Sequence, residues 1–196
     1  AQACGRGDMK ACADVFVRAA GISLACALAI VALQWLFLKA AFLVVDCTPE
    51  VRALAQEYFF IRIWAAPATL GLMAFKGWFI GMQDGVSPMI TDLTVNVMNA
   101  IVSIVLALGF SFGGVHYEGM GFPGIAAGTV AAQYLGLAAA VLIMLVKYSR
   151  RVFAGFRLRS LMSVFRGGET RRFFSMNADL FIRSLGIIGI YIGFTM

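Results

Sequence analysis

The sequence is poor in the residues from which catalytic sites are built. It has one histidine and four cysteines in 196 residues, and only 13% of its residues are charged. No nucleophile stands beside a candidate base, no set of side chains has metal-ligand spacing, and no phosphate-binding loop is present. We therefore expect a protein that is not an enzyme and that holds no metal or cofactor.

The cysteines and the histidine predict no special chemistry. Cys26 falls within an apolar run, where a cysteine behaves as a small packing residue, and the other three show no spacing that favours a disulfide or a metal site. His116 stands in a short polar segment beside Tyr117 and Glu118. A single histidine without a partner is interpreted as an ordinary loop residue.

Long apolar runs fill most of the chain. Hydrophobic residues make up 61% of the sequence, and the mean hydropathy is +0.88. The clearest runs are 19–38, 93–112 and 124–146, which contain no charged residue. A helix needs about 20 apolar residues to cross a bilayer. The sequence therefore predicts an all-α integral membrane protein, a polytopic helical bundle with about five spans.

The distribution of basic residues predicts the orientation of these spans, since Lys and Arg close to a span stay on the cytoplasmic side. Loop 113–123 has no Lys or Arg, whereas connector 147–172 is strongly basic. The basic residues of the connector are Lys147, Arg150, Arg151, Arg157, Arg159, Arg166, Arg171 and Arg172. We predict that the N-terminal end and this connector are cytoplasmic. The net charge of +6 then reflects topology, and we expect no nucleic-acid partner.

Helix signals divide the chain into predicted helices over 14–45, 48–82, 87–112, 121–146 and 173–196. Pro67 removes a backbone donor inside the second helix, which predicts either a kink or a free carbonyl that faces a cavity. Arg62 and Lys76 lie near the ends of that helix, where long side chains can extend to the interfaces. A tight turn is expected over 81–88, where Gly81 and Gln83 begin the reversal.

Polar and small residues mark the third and fourth helices. Asn99 and Ser103 are four residues apart and share a helix face, with Asn96 on a neighbouring part of it. Such a stripe either bonds to neighbouring helices or lines a watery cavity, and both uses remain open. Gly124 and Gly128 have the spacing that lets two membrane helices approach closely, and Thr129 follows them.

Several segments together resemble a known family. They are Arg62-Ile-Trp-Ala-Ala-Pro67, Gly77-Trp-Phe-Ile-Gly-Met-Gln83, Asn96-Val-Met-Asn99, Gly124-Ile-Ala-Ala-Gly-Thr129 and Asn177-Ala-Asp-Leu-Phe-Ile-Arg183. In order and spacing they are similar to the multidrug and toxic compound extrusion (MATE) transporters, and within these to the DinF-like branch. The resemblance covers almost the whole chain, from the end of the family's second helix to the start of its seventh.

The resemblance implies a partial MATE-type fold, with about five of the family's roughly twelve transmembrane helices. Residues 1–147 would form most of the N-terminal lobe, 148–172 a basic cytoplasmic inter-lobe linker, and 173–196 the truncated first helix of the C-terminal lobe. Asn177, Asp179 and Arg183 would open that helix. The linker is expected either to lie on anionic lipid as an interfacial helix or to act as a simple tether.

The function implied by the resemblance is export of amphipathic organic compounds, including organic cations and drugs, across the cell membrane in exchange for H⁺ or Na⁺. Asn99, Ser103, Thr129 and, more weakly, Asn96 would line the substrate and ion cavity. Ser103 stands where the family commonly has an aspartate, and serine cannot carry the coupling proton as an aspartate does. The resemblance also implies contact with membrane lipid and a monomer when full length. A flippase of lipid-linked saccharides and a non-transporting membrane scaffold remain the alternatives.

Overall fold

The computed structural model describes residues 2–44, 48–112 and 115–152, which lie in one compact unit, Ala1–Gly155. The predicted fifth helix and most of the basic connector lie outside the described residues. So do three residues expected to open the second lobe, Asn177, Asp179 and Arg183.

Helices make up almost all of the described chain. They are α1 (Gln2–Gly5), α2 (Met9–Ala32), α3 (Gln34–Val44), α4 (Pro49–Arg62), α5 (Ala66–Gly81), α6 (Val86–Leu108) and α7 (Phe122–Val152). Four stretches are long and apolar enough to cross a membrane: Met9–Ala32, Pro49–Gly81, Val86–Leu108 and Phe122–Ser149. The predicted helical membrane bundle is confirmed.

The first predicted helix, 14–45, is wrong at its start and in its continuity. Helix α2 begins at Met9, because the Asp8 side chain accepts a hydrogen bond from the Ala11 backbone N–H at 3.0 Å and caps the first turn. The helix ends before Leu33, whose carbonyl accepts bonds from Leu36 and Phe37 and so starts α3. No proline or glycine in the sequence marks this break.

The second predicted helix is interrupted just before Pro67. A 3₁₀ turn, Ile63–Ala65, separates α4 from α5, and the Ala66 N–H bonds to the Ile63 carbonyl. The Ala66 N–H thus replaces the N–H that Pro67 lacks as the donor to the Ile63 carbonyl. The carbonyl of Trp64 accepts a hydrogen bond from the Tyr134 hydroxyl of α7 at 3.0 Å. The 3₁₀ turn is thereby tied to a neighbouring helix.

Helix α6 ends at Leu108, four residues before the predicted limit. Gly109 adopts a φ of 77°, which is unfavourable for other L-residues and directs the chain out of the helix. Strands β1 (Gly109–Phe112) and β2 (Val115–Glu118) then pair antiparallel, with Phe110 opposite Tyr117. Sequence reading missed this hairpin because its strands are only four residues each.

Helix α7 is longer than predicted and continues to Val152. The inter-lobe linker predicted for 148–172 therefore begins inside a helix, and residues 153–172 lie outside the described part.

The helices pack mainly through small and aromatic residues, while many large aliphatic side chains point outward. Leu36, Leu93 and Val146 are among the exposed residues. An apolar exterior is what lipid contact requires of a membrane helix. Phe16 of α2 packs against Phe75 and Trp78 of α5, with ring centroids 4.9 Å and 5.5 Å away.

Candidate functional site

A polar stripe runs along α6. Asp92, Asn96, Asn99 and Ser103 are separated by four, three and four residues, so they follow one another on one side of the helix. Asp92 and Asn96 are exposed, whereas Asn99 and Ser103 are half-buried. The stripe therefore starts on an open surface and ends in a helix contact.

Asn99 and Ser103 form a hydrogen-bonded pair within α6. The Ser103 hydroxyl donates to the Asn99 side-chain oxygen at 3.0 Å. This bond satisfies part of the hydrogen-bonding capacity of both groups within an apolar span, where unsatisfied polar atoms are costly.

Ser103 lies where α6 crosses α7. A Cβ atom placed on Gly128 would lie 2.5 Å from both the Cα and the hydroxyl oxygen of Ser103. The two backbones approach this closely only because residue 128 has no side chain.

The close approach extends along both helices. A Cβ atom on Gly124 would meet the carbonyl of Leu106, and one on Gly136 would meet the side chain of Val95. Gly124 and Gly128 thus lie in the close contact between α6 and α7 that their spacing predicts. Gly136 lies in the same contact, further along α7.

Thr129 follows Gly128 on α7 and turns its hydroxyl to its own helix, donating to the Ile125 carbonyl at 3.0 Å. Asn96 lies toward the start of α6 and is exposed. Among the four predicted cavity residues, the structure joins Asn99 and Ser103 by a hydrogen bond and shows no hydrogen bond from the Asn96 side chain to either of them.

Lys76, for which the sequence predicts a side chain able to extend to the interface, has a charged partner in the structure. Its ammonium contacts the Oδ1 oxygen of Asp92 and forms an ion pair between α5 and α6. Asp92 is six residues from the start of α6, or about 9 Å along its axis. The pair therefore lies within both candidate spans, and its carboxylate heads the polar stripe.

The turn between α5 and α6 contains the predicted Gly81 and Gln83. Gly81 is the last residue of α5, and Gln83 has a φ of 60°, in the left-handed region. The Asp84 N–H bonds to the Phe79 carbonyl at 2.9 Å, which is the six-to-one bond of a Schellman helix end. These residues shape the turn.

Asp84 binds three neighbours at this turn. Its Oδ1 accepts from the Ser87 N–H at 3.2 Å, and the Ser87 hydroxyl also donates to the carboxylate. Its Oδ2 accepts from the Lys147 ammonium at 2.7 Å and from the Tyr148 hydroxyl at 2.6 Å. We call Asp84, Ser87, Lys147 and Tyr148 the Asp84 cluster. It ties the start of α6 to the end of α7.

The Asp84 cluster favours an ionised carboxylate. Burial by itself would raise the pKa of Asp84, but the hydrogen bonds from Lys147, Ser87 and Tyr148 outweigh burial and hold that pKa well below its usual range. Asp84 is 8% exposed and carries its negative charge among donors.

Sequence reading missed the Asp84 cluster and the Lys76–Asp92 pair. Asp84 precedes Ser87 by three residues, a spacing typical of a helix cap, but Lys147 lies 63 residues away in the chain.

Within ranges 2–44, 48–112 and 115–152, no group of His, Cys, Asp and Glu has an arrangement that would hold a metal ion.

Comparison with known proteins identifies the family. The family model described as MatE matches residues 1–105, which is more than half of the chain. The chain belongs to the MatE family. Its members are membrane transporters and not enzymes, and the predicted family resemblance is confirmed.

Two curated relatives extend the comparison. DNA damage-inducible protein F of Escherichia coli (strain K12) is 27% identical over 185 residues, which cover 94% of this chain and 38% of the relative. Protein DETOXIFICATION 44, chloroplastic, of Arabidopsis thaliana is 30% identical over 85 residues, covering 43% of this chain and 15% of the relative. The chain thus spans well under half the length of both relatives. No solved structure matches the chain.

Proposed function

We propose that this chain forms most of one lobe of a membrane exporter for amphipathic organic compounds, including organic cations and drugs. Residues 1–147 belong to the N-terminal lobe, 148–172 to an inter-lobe linker, and 173–196 to the first helix of the second lobe. Inward flow of H⁺ or Na⁺ drives export. The full-length protein works as a monomer in contact with membrane lipid.

The hydrogen-bonded Asn99–Ser103 pair at the α6–α7 crossing is the observation that carries this proposal. Polar side chains within a membrane span are costly, and they commonly face a bundle interior or a substrate path. Asn99, Ser103 and Thr129 line the first-lobe cavity, and Asn96 extends its polar surface. The family membership and the name of the Arabidopsis relative, a detoxification protein, support export as the activity.

Ser103 limits how coupling works in this protein. Its hydroxyl does not ionise at physiological pH, so it contributes hydrogen bonding but no exchangeable charge. Coupling to H⁺ or Na⁺ therefore depends on carboxylates elsewhere in the full-length protein.

Ethidium efflux from a strain without its own pumps tests the function. The full-length gene is expressed, its product is measured in the membrane, and proton and sodium gradients are imposed separately. We expect efflux under one of the two gradients, and that gradient identifies the coupling ion. Absence of efflux under both, with the protein present in the membrane, contradicts export of such compounds.

Asn99→Ala is expected to slow ethidium efflux about three- to thirtyfold, because a hydrogen bond between polar side chains in a membrane contributes about 0.6–2 kcal/mol. Asn96→Ala, on the exposed part of the same stripe, is the comparison variant and should slow efflux less than Asn99→Ala does. Rates are normalised to protein in the membrane. Equal tolerance of both substitutions removes Asn99 from the cavity.

We also propose that the protein lies in the cell's plasma or inner membrane with its N-terminal end and residues 147–172 in the cytoplasm. The basic connector and the absence of Lys and Arg from 113–123 support this orientation. Cysteines introduced at Gly114 and Ser160, with the native cysteines replaced, are expected to label with an impermeant thiol reagent at Gly114 alone in sealed cells. Equal labelling contradicts the orientation.

A further inference from the structure

The Lys76–Asp92 ion pair is unusual because both charges lie within candidate membrane spans and remain partly open. The side chain of Asp92 is 53% exposed and that of Lys76 is 30% exposed. An ionisable residue inside a membrane helix is costly, and it is retained where it serves a substrate or ion path. Pairing with Lys76 offsets part of the cost of placing the Asp92 charge in the membrane, and the Asp92 carboxylate stays accessible.

The geometry leaves room for a second cation at Asp92. The Lys76 ammonium contacts Oδ1, and a carboxylate offers about four acceptor positions on its two oxygens. Lys76 is also on a flexible stem and lies five residues, about 7.5 Å, from the end of α5. Its ammonium is therefore able to leave Asp92 and extend to the interface.

The surface around the pair suits an amphipathic ligand. Met73 lies one turn before Lys76 on α5, and Met89 lies one turn before Asp92 on α6. Both methionines are 62% exposed. Methionine side chains are flexible and polarisable, and they adapt to apolar groups of different shape. Asn96, one turn further along α6, adds an exposed amide.

We propose that Asp92 binds the positively charged group of an exported organic cation and that Lys76 is the internal cation which the ligand displaces. Met73 and Met89 contact the apolar part of the ligand, and the stripe through Asn96 leads it toward Asn99 and Ser103. In the empty site Lys76 neutralises Asp92. The inference rests on the proposed export function. It assigns recognition of the ligand's positive charge to Asp92, since Ser103 has no charge of its own.

A purely structural ion pair makes a different prediction from a binding site. If the pair only joins α5 to α6, removing either partner weakens the fold and ligand binding in the same direction. If Lys76 competes with the ligand, removing Asp92 weakens binding and removing Lys76 strengthens it. The direction of the Lys76 effect therefore separates the two.

Binding of tetraphenylphosphonium, a permanent cation, to the purified full-length protein tests the proposal. We expect Asp92→Asn to raise the dissociation constant at least tenfold and Lys76→Met to lower it at least threefold. Asp92→Glu, which keeps the charge, should restore most of the affinity. Glu57→Gln removes an exposed carboxylate of α4 away from the stripe and serves as the matched control, with less than a twofold change. Thermal unfolding of every variant verifies that it is folded.

Affinity of Asp92→Asn within twofold of wild type overturns the proposal, as does weaker binding by a folded Lys76→Met. Should Lys76→Met not fold, the contrast between Asp92→Asn and Asp92→Glu decides, and equal affinities of those two variants overturn the proposal. Ethidium efflux separates this failure from failure of the export function. A wild-type protein that exports ethidium and an Asp92→Asn variant that exports it equally well leave export standing and remove Asp92 from the site.

Discussion

Gly128→Ala is expected to destabilise the protein by about 1–3 kcal/mol, the usual cost of overfilling a packed contact. The added Cβ would lie 2.5 Å from the Ser103 Cα and 2.7 Å from the Ser103 nitrogen. Backbone atoms of α6 cannot move aside by changing a rotamer, so the two helices must separate. Separation also displaces Ser103 and its bond to Asn99, and efflux should fall together with stability.

Gly77→Ala is the matched control, with the opposite expected sign. Gly77 is exposed on α5, and a Cβ atom there meets no atom within 4 Å. Alanine favours a helix over glycine by about 1 kcal/mol, so this variant should be slightly more stable than wild type. Thermal unfolding of the full-length protein measures both variants. Melting temperatures that shift in the same direction contradict the assigned α6–α7 contact.

Features encoded by neighbouring residues could be predicted from the sequence. The spans follow from uninterrupted apolar runs, and the helix contact follows from the four-residue spacing of Gly124 and Gly128. The interruption of the helix before Pro67 follows from the missing N–H of that residue. Each of these signals lies within one helix and depends on little outside it.

Features that depend on distant residues could not be predicted. Lys76 and Asp92 are 16 residues apart, and each by itself is an ordinary charge near a helix end. Whether they pair depends on how α5 and α6 rotate against each other, which packing decides. The break at Leu33 likewise has no local signal. The Lys76–Asp92 pair, at the exposed start of the polar stripe, could therefore be identified only from the folded structure.

Asp84→Asn is expected to cost about 2 kcal/mol, because hydrogen bonds to a charged acceptor contribute about 1.5–3 kcal/mol. The amide keeps one oxygen but loses the charge that attracts Lys147, and it cannot accept every donor that the carboxylate accepts. Lys147 is half exposed, so water screens part of the ionic contribution. Asp8→Asn is the matched control, since asparagine caps a helix about as well as aspartate and α2 should be unaffected.

Acid should remove the advantage of wild type over Asp84→Asn. The pKa of Asp84 in the folded protein is held below its unfolded value of about 3.9. A carboxyl with a depressed pKa stabilises the fold fully above its unfolded pKa and loses that contribution as the pH falls toward its folded pKa. The difference in melting temperature should thus be constant from about pH 7 to pH 5 and shrink below about pH 4. A difference that grows on acidification contradicts an ionised Asp84 at the contact between the α5–α6 turn and α7.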